Sequence, residues 1–124
     1  MSRINDEVGS ILRSLAMDIG DGIVGAMLIY RNGFIISSVS RNSVNTKSLG
    51  AVLAAIKGSV DKMLGRAGLG SSDLIVTRAG EYILIITPVN QSTLLISILR
   101  ELTDLGLALL VIENAREKIG KVIQ

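Results

Sequence analysis

The sequence predicts an α+β fold, in which a five-stranded antiparallel sheet is packed between helices, within a single domain over residues 1–124. The first observation is the order of the patterns: helix, two strands, helix, three strands, helix, with a tight turn at every strand-to-strand link. The second is that most strand segments are apolar on both faces. A sheet with one wet face alternates apolar and polar residues, so helices are expected on both faces of this one.

The first element, residues 3–17, has the spacing of an amphipathic helix. Its apolar residues recur every three or four positions and form one stripe at about 100° per residue. The stripe consists of Ile4, Val8, Ile11, Leu12 and Leu15. Residues 18–22 (DIGDG) should end the helix. This segment holds Asp18 and Asp21, but the other ligands of a calcium loop are missing, so we expect a solvated turn and no metal.

Residues 23–30 (IVGAMLIY) and 34–40 (FIISSVS) predict a β-hairpin around Asn32-Gly33. Asn-Gly between apolar runs favours a two-residue type I′ turn, because both of its central positions need a positive φ. The expected pairs are Arg31 with Phe34, Tyr30 with Ile35, Ile29 with Ile36 and Leu28 with Ser37. The first strand is apolar throughout and should lie inside the sheet. The second ends in serines and should lie near an edge.

Residues 45–66 predict the middle helix, with Asn45 or Thr46 as its cap and glycines near its end. One side is apolar and should face the sheet: Leu49, Val52, Leu53, Ile56, Val60, Met63 and Leu64. The opposite side carries Lys47, Ala51, Ala54, Gly58, Asp61, Lys62 and Gly65. A solvated helix face normally carries long polar side chains, whereas small residues at Ala51, Ala54 and Gly58 would let a second helix come close. The alternative is a chance run of alanines on a wet face.

The remaining segments predict strands at 73–78, 81–88 and 93–99 and a final helix at 104–123. The glycine-rich stretch 65–70 follows a helix and precedes a strand. Phosphate-binding loops run the other way, with their amides at a helix N-terminus, so this stretch is expected to end the middle helix and hold no phosphate.

The composition argues against several classes of function. There is no histidine and no cysteine, so the commonest general base, nucleophilic thiol and zinc ligands are missing. We therefore expect no enzyme, no metal and no cofactor; an enzyme would need a Lys–Asp pair buried in a cleft. A net charge of +2 and only three aromatic residues do not favour nucleic acid as a partner.

The sequence also bears on where the protein resides. No apolar run is long enough to span a membrane, so membrane insertion is not expected. The N-terminal residues MSRINDEVGS include acidic side chains and no apolar block, unlike a signal peptide. Together with the lack of cysteine, these features predict a cytoplasmic protein.

An ordered combination of features resembles the Roadblock / dynein light chain superfamily over about residues 4–123. The features are the element order, the hairpin from Ile29 to Ser38, the small-residue middle helix, the strand end Ile85-Ile86-Thr87-Pro88-Val89 and the helix onset Leu105-Gly106-Leu107. The combination carries the resemblance, since no single motif in it is specific.

The resemblance implies a middle helix on one face of the sheet and both terminal helices on the other. It also implies pairing of two copies through the middle helix and the third strand, residues 45–66 and 73–78 here, across a two-fold axis. The expected interface residues are Lys47, Ala51, Ala54, Gly58, Asp61, Lys62, Leu74 and Val76.

Functionally, the resemblance implies a homodimeric regulator or scaffold that binds a Ras-like small GTPase through the paired middle helices. Such a protein can modulate GTP hydrolysis by positioning switch loops, without catalytic residues of its own. Arg66 is the candidate GTPase contact; otherwise it is a surface arginine favoured by the helix dipole. The alternatives are a dynein-type structural subunit and a profilin-like or sensory ligand-binding module, which should contain a central cavity.

Overall fold

A computed structural model describes residues 2–41 and 45–123 of the chain. The elements follow the predicted order: α1 (Ser2–Ile19), β1 (Ile23–Tyr30), β2 (Ile35–Ser40), α2 (Thr46–Arg66), β3 (Ile75–Ala79), β4 (Tyr82–Pro88), β5 (Thr93–Arg100) and α3 (Leu105–Ile123). A short 3-10 turn at Gly20–Gly22 joins α1 to β1. α1 continues through Asp18, and the chain leaves the helix at Gly20, whose φ is +82°.

The five strands form one antiparallel sheet in the order β2-β1-β5-β4-β3. The structure is therefore the α+β fold that the sequence predicts. β1 lies inside the sheet and β2 at an edge, as the contrast between their apolar and serine-rich sequences indicates. β3 forms the other edge.

Helices cover both faces of the sheet, which explains why its strands lack a polar side. α1 and α3 pack on one face, where the core includes Val8, Leu12, Leu28, Leu95, Ile112 and Ile119. α2 packs on the other face, over Met27, Ile29, Ile86, Leu94 and Ile96. The division of one helix against two matches the arrangement that the resemblance implies.

The hairpin between β1 and β2 differs from the predicted two-residue turn. Tyr30 N donates to Phe34 O at 2.8 Å and Gly33 N to Tyr30 O at 2.9 Å, so the loop holds three residues. Gly33 has a φ of +96°, the conformation that closes such a loop with a bulge.

The bulge changes the register next to the turn. Leu28 pairs with Ser37 as predicted, but Ile29 pairs with Ile35 instead of Ile36. The predicted pairs of Tyr30 with Ile35 and of Arg31 with Phe34 are also wrong. The third loop residue shifts the pairing by one position between the turn and the bulge, and beyond the bulge the predicted pairing returns.

Both ends of α2 follow the sequence signals. Asn45 is the N-cap, and its Oδ1 accepts from Ser48 N at 3.2 Å. At the other end Gly68, with a φ of +75°, donates to Gly65 O, while Leu69 N donates to Leu64 O at 2.8 Å. This bonding pattern is a Schellman motif, so the glycine-rich stretch ends a helix as predicted.

Candidate protein interface

The orientation of α2 determines which residues it offers to a partner, and it corrects the sequence prediction. The side chains buried against the sheet centre on Leu53, Ala54 and Lys57, together with the backbone at Gly50. Ala54 is therefore a core residue, with an exposed fraction of only 7%, and not part of an outward stripe.

The outward side of α2 is apolar in the isolated chain. We define the α2 outer face as six exposed residues: Ala51, Val52, Ala55, Ile56, Ser59 and Met63. Val52, Ile56 and Met63 have exposed fractions of 54%, 36% and 70%, although the sequence predicted that they pack on the sheet. Exposed apolar patches of this kind mark interaction sites more often than scattered single residues do.

The error has a geometric cause. α2 carries two apolar stripes, one through Leu53 and Leu64 and one through Val52, Ile56 and Met63, separated by about 100° on the helix. The sequence analysis merged them into one wide stripe. Only the first stripe meets the sheet. The buried Lys57 lies on the same side of the helix.

Small residues still line the outer face, shifted by one position from the prediction. Ala51, Ala55 and Ser59 follow each other at intervals of four and lie beside the exposed apolar stripe. The prediction named Ala51 correctly but took Ala54 where the structure places Ala55. Gly58 is exposed at the border, and a Cβ added there would meet no atom within 4 Å.

Lys57 and Asp61 form a polar cluster with Ser72. Lys57 Nζ donates to Asp61 Oδ2 at 2.5 Å, to Ser72 O at 2.7 Å and to Ser72 Oγ at 3.0 Å. Asp61 Oδ1 accepts from the amide and the hydroxyl of Ser72 at 2.8 and 2.7 Å. These bonds tie the second half of α2 to the segment that leads into β3. They also explain why β3 begins at Ile75 and not at the predicted residue 73.

The cluster extends to the far end of the sheet through Arg31. Its Nη1 lies 3.9 Å from Asp61 Oδ2, and its Nη2 donates to Asn90 O at 3.0 Å. Three connections therefore meet here: the β1–β2 loop, the α2–β3 loop and the β4–β5 loop. Asp61, predicted to approach a partner, has both carboxylate oxygens committed within the chain.

The electrostatics of the cluster are those of a structural ion pair. Partial burial raises the pKa of Asp61, but the hydrogen bonds from Lys57 and Ser72 outweigh it and lower the pKa to about 2. A carboxylate with so low a pKa is a weak general base at neutral pH. The three acceptors of Lys57 Nζ match the three hydrogens of an ammonium group.

The cluster bears directly on the enzyme alternative, which required a buried Lys–Asp pair. The pair exists, and Lys57 borders a shallow surface cleft of about 240 Å³. However, the hydrogen bonds of both groups are already used within the chain. Recruiting either group for catalysis would leave the other charge without its partner, which is costly for a buried ion pair.

The edge strand β3 and the residue before it add exposed apolar surface. Leu74 and Val76 have exposed fractions of 46% and 43%. Val76 pairs with Ile85, which belongs to the core under α1 and α3, so Val76 faces away from α2. A partner that contacts both α2 and Val76 would have to reach around the β3 edge.

The charged residues named by the sequence analysis remain on the surface. Lys47 lies in the first turn of α2, Lys62 near its end, and Arg66 is its last residue; all three are exposed. Arg66 makes no side-chain hydrogen bond or ion pair within residues 2–41 and 45–123. Its position at the helix C-terminus is the one that the helix dipole favours for a cation.

Metal and membrane sites were also considered within the described part of the chain. It contains no group of three or more acidic residues that could hold a metal ion. None of its helices combines the length and the apolar character needed to cross a membrane.

A cavity of about 650 Å³ lies at the surface between the β1–β2 loop and the first turns of α2. The ligand-sensor alternative predicts a central cavity instead.

Comparisons of the structure show which known proteins share this fold. The gliding protein MglB from Thermus thermophilus matches with a TM-score of 0.87 at 17% identity, over 96% of this chain and 90% of its own. MglB from Myxococcus xanthus matches with a TM-score of 0.85 at 22% identity, over 93% of both chains. A Roadblock/LC7 domain from Streptomyces avermitilis matches with a TM-score of 0.82 at 12% identity, over 90% and 92%.

These likenesses show that the chain has the Roadblock/LC7 fold. Neither a family model nor a curated protein matches the sequence. A profilin from Schizosaccharomyces pombe is also similar, but its TM-score is lower, 0.66 at 17% identity over 94% and 98% of the two chains. At the level of the fold, the comparison therefore favours Roadblock/LC7 over the profilin-like alternative.

Proposed function

We propose that this protein is a non-enzymatic, homodimeric regulator or scaffold that binds a Ras-like small GTPase on a platform made by two copies of α2. The observation that carries the proposal is the α2 outer face, where apolar side chains are exposed on a helix of a protein with the Roadblock/LC7 fold. One similar solved structure is described as MglB in a tetrameric arrangement, which is in line with self-association.

The geometry of α2 suits a two-fold helix–helix contact. Ala51, Ala55 and Ser59 are small enough to let two backbones approach, and Val52 and Ile56 flank them with surface that gains from burial. In an isologous contact each residue meets the partner's equivalent surface, so one patch serves both copies. β3 is an edge strand, and pairing of its free edge with the partner's would let the two sheets continue into each other.

The proposal needs no catalytic group on this chain. A regulator of a small GTPase can act by ordering the switch loops of the GTPase, which brings its own catalytic residues. Lys62, Met63 and Arg66 lie toward the C-terminal end of α2, beyond its small residues, and form a mixed cationic and apolar surface. We assign GTPase contact to this end of the platform, with Arg66 as the candidate cation.

Binding to purified Ras-like GTPases of the source organism tests the proposal. Each GTPase is loaded with a non-hydrolysable GTP analogue or with GDP, and binding is measured by surface plasmon resonance. We expect a GTPase whose affinity depends on the nucleotide. Met63→Glu should weaken that binding about tenfold or more, because it places a charge in an apolar contact. Asn114→Glu, at an exposed position on α3, should leave it unchanged.

Single-turnover GTP hydrolysis with wild-type protein and Arg66→Ala separates the two roles of Arg66. If Arg66 completes the GTPase active site, its removal should lower the stimulated rate by about a thousandfold. A binding residue would change only the affinity. Absence of binding to every GTPase tested would contradict the proposal.

A further inference from the structure

We propose that the outer edge of β2 accepts an extended, acidic segment of a partner protein as a sixth strand of the sheet. The inference does not rest on the proposed function, because β2 lies at the opposite edge of the sheet from β3. It rests on the free backbone of β2, on the cavity beside it and on the charge of that cavity.

The backbone of β2 has open hydrogen-bonding positions on its outer side. Arg41 N donates to Val24 O at 2.7 Å, which fixes the phase of the β1–β2 ladder. Because inward and outward groups alternate along a strand, Val39 and Ser37 bond to β1, while Ser38 and Ser40 direct their N–H and C=O groups outward. Within the described residues, no other strand pairs with this edge.

Edge strands are usually protected by charges, by proline or by a bulge. β2 (IISSVS) has neither charge nor proline. Its bulge lies next to the turn, where its pairing with β1 shifts between Leu28 and Ile29 of β1. The stretch from Ser37 to Ser40 is therefore regular. Its exposed serines keep the edge polar without blocking a further strand.

A cavity of about 430 Å³ lies along this edge, between α1 and the ends of β1 and β2. α1 lines it with Arg13, Ala16 and Met17, and the strand side includes Val39. A groove between a helix and an edge strand is the arrangement in which peptides bind by strand addition, where alternate side chains of the peptide enter the groove. The apolar lining suits an aliphatic side chain of the incoming strand.

The charges around the cavity select an acidic segment. Arg13 and Arg41 border it, and Arg13 makes no ion pair within residues 2–41 and 45–123. Arg41 donates to Gly20 O at 3.0 Å and lies 3.9 Å from Asp21, which is fully exposed and offsets one of the two positive charges. Among the described residues that line the cavity, Arg13 and Arg41 are the only charged ones.

The same charges argue against a second copy of this chain as the occupant. β2 carries no acidic residue, and β3 (IVTRA) carries Arg78 as its only charge. Neither of these two strands therefore carries a carboxylate that could pair with Arg13. The fitting partner is an extended segment of a different protein in which aliphatic and acidic residues alternate.

Titration of the full-length protein with an eight-residue peptide of alternating valine and glutamate tests the inference by NMR. We expect the peptide to slow hydrogen exchange of the Ser38 and Ser40 amides and to shift their resonances. A peptide of alternating valine and lysine should bind at least about tenfold more weakly, and added salt should weaken the glutamate peptide.

Three variants connect the binding to the edge of β2. Ser38→Pro removes an outward N–H, a change that an edge strand tolerates, and should abolish peptide binding. Arg13→Glu should weaken it about tenfold or more. Arg3→Glu, on the same helix but about 15 Å away, is the matched control and should change nothing. Circular dichroism verifies that each variant is folded.

Three results would overturn the inference. One is equal affinity for the glutamate and lysine peptides. Another is unchanged binding by Arg13→Glu, which remains informative if Ser38→Pro fails to fold. The third is strong protection of the Ser38 and Ser40 amides without any peptide, together with a solution mass above that of two chains, since a further copy would then occupy the edge.

Discussion

Lys57 occupies a position that a lysine rarely holds, because its side chain is buried between α2 and the sheet. Such burial is tolerated only when the charge is paired and its hydrogens have acceptors. Asp61 and Ser72 provide both, and Asp61 lies one helical turn further along, where i and i+4 side chains meet. The ion pair therefore holds the start of β3 at a fixed distance from α2.

Replacing this lysine should destabilise the fold strongly. Lys57→Met keeps the apolar stem but removes the nearer of the two cations beside Asp61, so we expect the free energy of unfolding to fall by about 2 to 4 kcal/mol. Lys62→Met is the matched control on the exposed side of the same helix and should change it by about 0.5 kcal/mol or less. Urea denaturation measures both. Equal effects would show that the cluster is not structurally important.

The pKa of Asp61 makes a further prediction about pH. The group has a pKa of about 2 in the folded protein and an ordinary value near 3.8 when unfolded. Its contribution is therefore fully present above pH 4 and is lost as the pH falls from about 4 to 2. The amount is about 2 kcal/mol at most. In urea denaturation at pH 6 and pH 2.5, wild type should lose more stability than Asp61→Asn, and equal losses would contradict the account.

At the scale of elements, the hairpin and α2 are linked more closely than their separation in the sequence indicates. Gly33 closes the β1–β2 loop with a positive φ, and a Cβ built on it would lie 2.8 Å from Ala51 Cα. The sequence predicts only a local turn at Asn32-Gly33. The structure instead places it directly against the first turns of α2.

A pair of glycine variants measures this contact. Gly33→Ala and Gly80→Ala both force alanine into a positive φ, at a cost of about 1 kcal/mol. Only Gly33 meets α2, since a Cβ at Gly80 would meet nothing within 4 Å. Gly33→Ala should therefore cost about 1 to 3 kcal/mol more in thermal or urea unfolding. Equal costs would show that the loop does not press on α2.

The agreements and differences between the predicted and the observed elements indicate what the sequence could and could not predict. Helices and strands were predictable because apolar periodicity, Asn45 and Gly68 are local signals, and the apolar character of both strand faces predicted the layers. The rotation of α2 was not predictable. Val52 and Leu53 are both apolar, and the contact of Lys57 with Ser72, fifteen residues away, is not contained in the local periodicity.

The predicted pairing next to the hairpin turn was wrong for a related reason. Asn32-Gly33 is compatible with a two-residue and a three-residue loop, and the two differ by one residue of pairing. Asn32 Oδ1 accepts from Phe34 N at 3.1 Å, and Arg31 N donates to Ser92 O of the β4–β5 loop at 3.0 Å. The second of these contacts joins segments that are far apart in the sequence, so local sequence patterns do not predict it.

At the scale of the whole molecule, the two edges of the sheet have different character. The β3 edge has exposed Val76 and, just before the strand, exposed Leu74, whereas the β2 edge is serine-rich and bordered by Arg13. We therefore assign self-association to the first edge and an acidic partner strand to the second. Under this assignment a dimer would keep one β2 edge free at each end of its continuous sheet.

The solution mass of the protein, measured by light scattering after size exclusion, tests the central claim most directly. We predict that wild type has twice the 13.1 kDa mass of one chain. Ala55→Arg should have the mass of one chain, because the arginine prevents close approach of two helices, while Asn114→Arg on α3 should remain a dimer. A wild-type mass of one chain, or an Ala55→Arg variant that stays dimeric, would contradict the proposed pairing of α2.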